Sequence, residues 1–176
     1  MGVRIVRSTD GKIGSHGIPE KITWSSCADA MSPAIFVSRR AITGAKERAS
    51  EAFLHRKETM GLLIGHPFYD CGGLKLEIAD SLPLPVDADA HHVAVDRHAD
   101  ELDWDETRGG SLVVGWYHSH TGQGNFLSET DRRTHNVWFN QPYAVAMLIE
   151  AAEGTIGVYS KRNGALTAVD YGVFEI

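Results

Sequence analysis

From Ala34 onward the chain is cut into short apolar runs by glycine, proline and Asn-Gly punctuation, which restricts it to brief strands with few helices. Ile35-Phe36-Val37 and Tyr143 to Glu150 read as strands, and Met60 to Gly65 reads as a buried strand, too short and too apolar for an amphipathic helix. Leu74, Leu76 and Ile78 alternate with Lys75 and Glu77 after Gly72-Gly73, the period of a half-buried strand. A loop with Pro83 and Pro85 follows, then a short strand at His92 to Val95. Ser111 to His120 is a further strand, and Thr155 to Ser160 and Ala165 to Tyr171 are joined across Asn163-Gly164, a hairpin signal. Helical spacing begins after Ser38, an N-cap residue, with Ile42, Ala45, Ala49, Ala52 and Phe53 on one face and an end near Arg56. A second helix is expected from Ser128 to about Trp138, and a short one over Arg97 to Arg108, stopped by Gly109-Gly110. Residues 1–33, with Gly, Ser and Pro and few periodic apolar positions, read as an N-terminal extension carrying one strand at Val3 to Val6. Residues 34–176 then form the domain.

Composition narrows the function. The longest aliphatic run, Ala144 to Ile149, is far below the roughly 20 residues that cross a bilayer, so no membrane association is expected. The start, Met-Gly-Val-Arg-Ile-Val, lacks a signal peptide's apolar stretch. A net charge of −6 without a Lys/Arg cluster argues against nucleic acid as a partner, because phosphate binding draws on basic charge. Asp87 to Glu106 holds eight acidic residues against one Arg, which reads as a solvated loop and helix face, or else as a docking surface for a basic partner. Cys27 and Cys71 form neither a disulfide framework nor a Cys-x-x-Cys site, so a reducing, cytoplasmic setting is expected.

Histidine, at nine residues, is where chemistry is to be sought. In Trp116-Tyr117-His118-Ser119-His120, residues two apart on a strand share a face, so His118 and His120 present two imidazoles side by side. Asp131 lies in the first turn of the following helix, and a loop with Gly122 and Gly124 can return it to the strand end. Two imidazoles and a carboxylate make a three-ligand zinc site with its fourth position open, the form of catalytic zinc. Ser128-x-x-Asp131 is also a helix capping box, and the two roles are compatible. Rival His-x-His patterns fail. A cupin needs a Glu soon after the second His, a metallo-β-lactamase needs Asp-His where Gly122-Gln123 stands, and no His-Glu-x-x-His is present.

Gly115 to His120 with Ser128 and Asp131, preceded by Glu58-Thr59-Met60-Gly61-Leu62-Leu63-Ile64-Gly65, resembles the JAMM motif of the catalytically competent MPN (JAB-domain) metallopeptidases, small prokaryotic members in particular. The resemblance implies an α+β fold: a curved, mainly antiparallel β-sheet flanked by helices, as in the MPN and cytidine-deaminase-like architecture. It implies one Zn2+ on His118, His120 and Asp131, a general base at Glu58 and an oxyanion-stabilising hydroxyl at Ser128. It implies hydrolysis after the C-terminal tail of ubiquitin or a ubiquitin-like protein, as an isopeptidase or a precursor-processing protease. For a bacterial version it implies E1-like and E2-like enzymes as partners, with antiviral defence as one setting. Trimming of a sulfur-carrier protein is an alternative, and a metal-free MPN scaffold is an alternative of another class. One position departs from the family pattern: Thr121 stands where proline usually follows the second histidine, which implies a freer loop beside the metal.

Overall fold

The computed structural model describes residues 5–6, 34–70, 73–88, 93–95 and 111–175. In chain order the elements are β1 (Ile5–Val6), β2 (Ile35–Ser38), α1 (Arg39–Leu54), β3 (Met60–Asp70), β4 (Gly73–Pro83), β5 (Val86–Ala88), β6 (Val93–Val95), β7 (Leu112–His120), α2 (Glu129–Trp138), β8 (Val145–Glu150), β9 (Thr155–Arg162), β10 (Ala165–Ala168) and β11 (Gly172–Phe174). Among the described residues, nine strands form one sheet in the order β1-β11-β2-β4-β3-β7-β8-β9-β10, and β5 pairs with β6 separately. The long ladders, β3 with β4 and β7, and β9 with β8 and β10, are antiparallel. The parallel pairings are β7 with β8 and the short contacts of β1, β11, β2 and β4. The fold is α+β, a curved and mainly antiparallel sheet with a helix on each face.

The helix α1 starts where the sequence places it: Ser38 Oγ accepts the Ala41 N–H at 3.0 Å and donates to the Ala79 carbonyl at 2.5 Å. Its buried stripe is Ala41, Ala45 and Ala49, small side chains that bring the helix close over Ile35, Val37, Leu63, Leu76, Ile78, Tyr117, Val145 and Met147. The opposite face of the sheet buries Met60, Leu62, Ile64, Trp116, Ala146, Leu148 and Tyr159 against Leu127 and Phe139, at the two ends of α2.

A β-bulge decides which side chains face α2. The register of β7 against β3 steps from Gly115 opposite Leu63 to Val113 opposite Ile64, so Val114 is an extra residue. Val113 and Trp116, three apart, therefore share the α2 face, while Val114 and Tyr117 join the α1 face. Gly65 marks the adjacent irregularity between β3 and β4, where a Cβ would lie 1.8 Å from the Glu77 carbonyl oxygen. Glycine is required there by close approach of two backbones.

Several boundaries differ from expectation. β3 runs to Asp70 through Pro67, beyond the expected end at Gly65. Among the described residues the β7 ladder stops at Gly65, so around Pro67 the strand pairs with β4 alone, a setting in which a missing N–H is tolerated. The stretch Ala165 to Tyr171 is not one strand: β10 ends at Ala168, the Val169 N–H turns to the Val158 carbonyl at 2.9 Å, and Gly172–Phe174 crosses to pair with β2. The helix expected over Arg97 to Arg108 lies outside the described residues, as do most of residues 1–33 and most of the acidic stretch. Among the described residues, no helix is long and apolar enough to cross a membrane.

Candidate metal centre

Strand β7 carries the centre on its last residues. By alternation from Trp116, His118 and His120 both face α2, and both are buried. Asp131 reaches them from the first turn of α2, which is held by a reciprocal cap: Ser128 Oγ accepts the Asp131 N–H at 3.2 Å and Asp131 Oδ2 accepts the Ser128 N–H at 2.7 Å. His118 Nε2 lies 3.3 Å from Asp131 Oδ1, and His120 Nε2 lies 3.6 Å from Asp131 Oδ2. One ligand atom from each of the three residues falls within 4.8 Å of the others.

Each His–Asp131 distance taken singly is near what a metal ion requires, with the two histidines facing different oxygens of Asp131 and the three ligand atoms within 4.8 Å of one another. A tetrahedral ion with bonds of about 2.0–2.2 Å spaces its ligand atoms about 3.3–3.6 Å apart. Neither ring nitrogen of His118 makes a hydrogen bond, although the residue is only 1% exposed. A buried imidazole without hydrogen bonds is costly, and a cation facing Nε2 removes part of that cost.

Charge is arranged accordingly. Burial, together with the neighbouring His120, pulls the His118 pKa down to about 4 against the pull of Asp131, so the ring is neutral and its lone pair available at pH 7. Burial pushes Asp131 upward, but contacts with His120, His118 and the Ser128 cap outweigh it and bring the carboxyl to about 2. For His120 burial also acts downward, and the Asp131 carboxylate, the Gly124 carbonyl and the charge of Glu58 overcome it and raise the pKa.

Glu58 lies just before β3. The Ser119 N–H to Thr59 carbonyl bond (2.9 Å) continues the β3–β7 ladder beyond the Met60–His118 pair, which brings Glu58 to the end of β7 that carries His120. The side chain is 5% exposed, and Gln123 Nε2 donates to its Oε1 at 2.8 Å. The structure thus gathers Glu58, His118, His120, Ser128 and Asp131 at one end of the sheet.

Three supports escaped the sequence reading. Gln123 touches Glu58, Trp116 packs under His118, and Glu150 sits opposite His120 in the β7–β8 ladder with its carboxylate on the loop that follows β7. For Glu150 a signal existed, an acidic residue closing the most apolar strand of the chain. Among the other histidines within the described residues, His55 caps α1, His66 Nε2 meets Ser111 Oγ at 3.0 Å, and His135 is buried on α2.

Comparison with known proteins places this geometry. Residues 34–141 match the JAB1/Mov34/MPN/PAD-1 ubiquitin protease family. COP9 signalosome complex subunit 5 of Eremothecium gossypii is 31% identical over 124 residues, covering 67% of this chain and 26% of that protein. The 26S proteasome non-ATPase regulatory subunit 14 of Dictyostelium discoideum is 28% identical over 158 residues, covering 86% and 49%. The NAD(+) hydrolase TcpA of Theionarchaea archaeon is 34% identical over 98 residues, covering 55% and 28%. The chain therefore spans about a quarter to a half of these relatives. A solution structure of a Desulfitobacterium hafniense protein superposes with a TM-score of 0.63 at 20% identity, over 81% of this chain and 94% of that one, which supports the fold alone. The matched segment is more than half of the chain and contains the whole His-His-Asp cluster with Glu58 and Ser128; this chain belongs to the JAB1/Mov34/MPN/PAD-1 ubiquitin protease family.

Proposed function

We propose that this chain is a zinc-dependent hydrolase of peptide or isopeptide bonds, with His118, His120 and Asp131 as zinc ligands, and that it cuts after the C-terminal tail of a ubiquitin-like protein. The observation that carries the reading is the His118–His120–Asp131 cluster, with both histidines buried and a buried carboxylate, Glu58, beside it. When bound, zinc supplies a Lewis acid and lowers the pKa of its water from 15.7 toward 7.

The chain's own groups do the rest. Glu58 accepts the proton of the attacking water and delivers it to the leaving nitrogen, a poor leaving group until protonated. The cap on α2 uses Ser128 Oγ as an acceptor, so the hydroxyl hydrogen is oriented by other demands and can donate to the carbonyl oxygen as negative charge develops on it. Asp131, held anionic, offsets the positive charge of the ion it would bind. The tail of a ubiquitin-like protein suits this centre because it is extended and can lie along a strand edge. E1-like and E2-like enzymes are the partners such a substrate requires, whether in the cytoplasm generally or in antiviral defence.

The test is metal content followed by cleavage. Purified protein is expected to hold one zinc per chain, lost in a His118→Ala/His120→Ala double variant and weakened in Asp131→Ala. Glu58→Gln is expected to keep fold and zinc and abolish cleavage of ubiquitin-like fusions. No zinc after reconstitution would sink the hydrolase reading in favour of a scaffold. Zinc without cleavage of any ubiquitin-like fusion would redirect the search to sulfur-carrier proteins.

A further inference from the structure

We infer that Glu150 is a positioning residue of the metal centre: through Gly124 it fixes the tautomer and orientation of His120. The inference rests on the metal reading above.

Glu150 ends β8, directly opposite His120 in the parallel β7–β8 ladder, and it is fully buried. A carboxylate in such a place is expensive unless hydrogen-bonded, and an aliphatic side chain would continue the Val145 to Ile149 strand more cheaply. Both oxygens are used. Oε2 accepts the Gly124 N–H at 2.7 Å, and Oε1 accepts the Ala152 N–H at 3.2 Å. The first bond reaches 26 residues back to the loop after β7, so it does more than close its own turn.

The next link runs from that loop to the metal centre. The Gly124 carbonyl lies 3.0 Å from His120 Nδ1. A carbonyl only accepts, so Nδ1 carries the hydrogen and Nε2 keeps its lone pair on the side of Asp131. Gly124 has φ +93°, a conformation costly for other residues, and with it the N–H faces Glu150 while the C=O faces His120. The carboxylate, the glycine and the imidazole form one chain of hydrogen bonds whose far end is a ligand atom. Partners of this kind set the orientation and basicity of metal-bound histidines. The same tether holds the loop at which Thr121 replaces the stiffer proline, so here a buried side chain takes over part of the loop's rigidity.

The test compares wild type with Glu150→Ala, Glu150→Asp and, as a control of stability alone, Val173→Ala on the distant strand β11. Three quantities are read: zinc affinity by chelator competition, the His120 tautomer by nitrogen NMR of metal-free protein in alkaline buffer, and the unfolding midpoint of the metal-free form. Glu150→Ala is expected to bind zinc about 10- to 100-fold more weakly and to lose the single Nδ1–H tautomer. Glu150→Asp keeps the charge but draws it back by one methylene, and is expected to weaken zinc about tenfold. Val173→Ala should lower the midpoint while leaving affinity and tautomer unchanged. Zinc affinity within twofold of wild type, or an unchanged tautomer in either Glu150 variant, overturns the inference. If Glu150→Ala does not fold, Glu150→Asp decides. If wild type binds no zinc, the metal reading fails, and the tautomer in metal-free protein still decides the role of Glu150.

Discussion

Trp116 lies flat against His118, with ring centroids 4.9 Å apart and planes 13° from parallel. Phe139 also stacks with Trp116 at 6.0 Å, and the indole Nε1 donates to His135 Nδ1 at 3.3 Å. His118, whose nitrogens make no hydrogen bond, is therefore held by ring packing, with Trp116 fixed in turn from α2.

Truncating this clamp should loosen both the core and the ligand. Trp116→Phe keeps a ring but leaves His135 Nδ1 without its donor, at a cost of about 1–2 kcal/mol. Trp116→Ala opens a cavity and is expected to cost about 3–5 kcal/mol. Denaturant unfolding of metal-free protein gives the stabilities, and chelator competition gives the effect on His118. Zinc affinity should fall clearly for Trp116→Ala and little for Trp116→Phe. Undiminished affinity in Trp116→Ala would remove the stack from the account of how His118 is held.

His135 makes stability depend on acidity. Burial, with a smaller contribution from the charge of Lys161, holds its pKa at about 4, against 6.5 in the unfolded chain. Above pH 6.5 the group is neutral in both states and its contribution is fully present. As pH falls from 6.5 toward 4, the unfolded chain takes up a proton that the folded one refuses, so stability is lost. By pH 5 this single group should account for up to about 2 kcal/mol. Metal-free His118 adds an effect of the same sign, so the measurement is the difference between wild type and His135→Gln in unfolding series at pH 7.5 and pH 5. The variant should show the shallower loss. Equal slopes would mean that His135 is protonated in the fold.

What was legible in the sequence was whatever depends on local spacing. The pairing of His118 with His120 follows from strand alternation, and the return of Asp131 follows from a cap that Ser128 announces three residues ahead. The start of α1 at Ser38 follows for the same reason. What was not legible depends on which strands become neighbours. Glu150 gains its role because β8 runs parallel to β7 in one register, and no local pattern near residue 150 states that partner. Pro67 stands in β3 beyond the last described pairing with β7, and β10 ends at Ala168 while β11 pairs with β2 elsewhere in the sheet.

Ser128 caps α2, and substitution can separate that duty from the oxyanion role proposed for its hydroxyl. Ser128→Ala removes both the cap oxygen and the hydroxyl, and should cost about 1 kcal/mol in stability. Ser128→Gly should cost only a few tenths, because glycine is tolerated at an N-cap. If the hydroxyl stabilises the oxyanion, both variants lose roughly 10²- to 10³-fold in kcat against a ubiquitin-like fusion, despite their different stabilities. A loss of kcat that tracks stability, large for alanine and absent for glycine, would assign Ser128 to the cap alone.

Thr121→Pro asks how much rigidity the loop after β7 lacks. His120 is extended strand, a conformation compatible with a following proline. Among the described residues, positive φ outside glycine occurs at Arg56 and Asn163, so Thr121 is not in the left-handed region that would forbid proline. Proline here would restrict the unfolded chain by about 0.4–1 kcal/mol, offset in part by the interaction that Thr121 makes in the fold, so a small net gain is expected. Because the Glu150–Gly124–His120 tether already orders the ligand end of this loop, zinc affinity should change less than twofold while the unfolding midpoint rises. A loss of stability greater than about 1 kcal/mol would show that the Thr121 N–H or hydroxyl is itself part of what holds the loop. A large gain in zinc affinity would show that the tether leaves His120 less ordered than the bond lengths indicate.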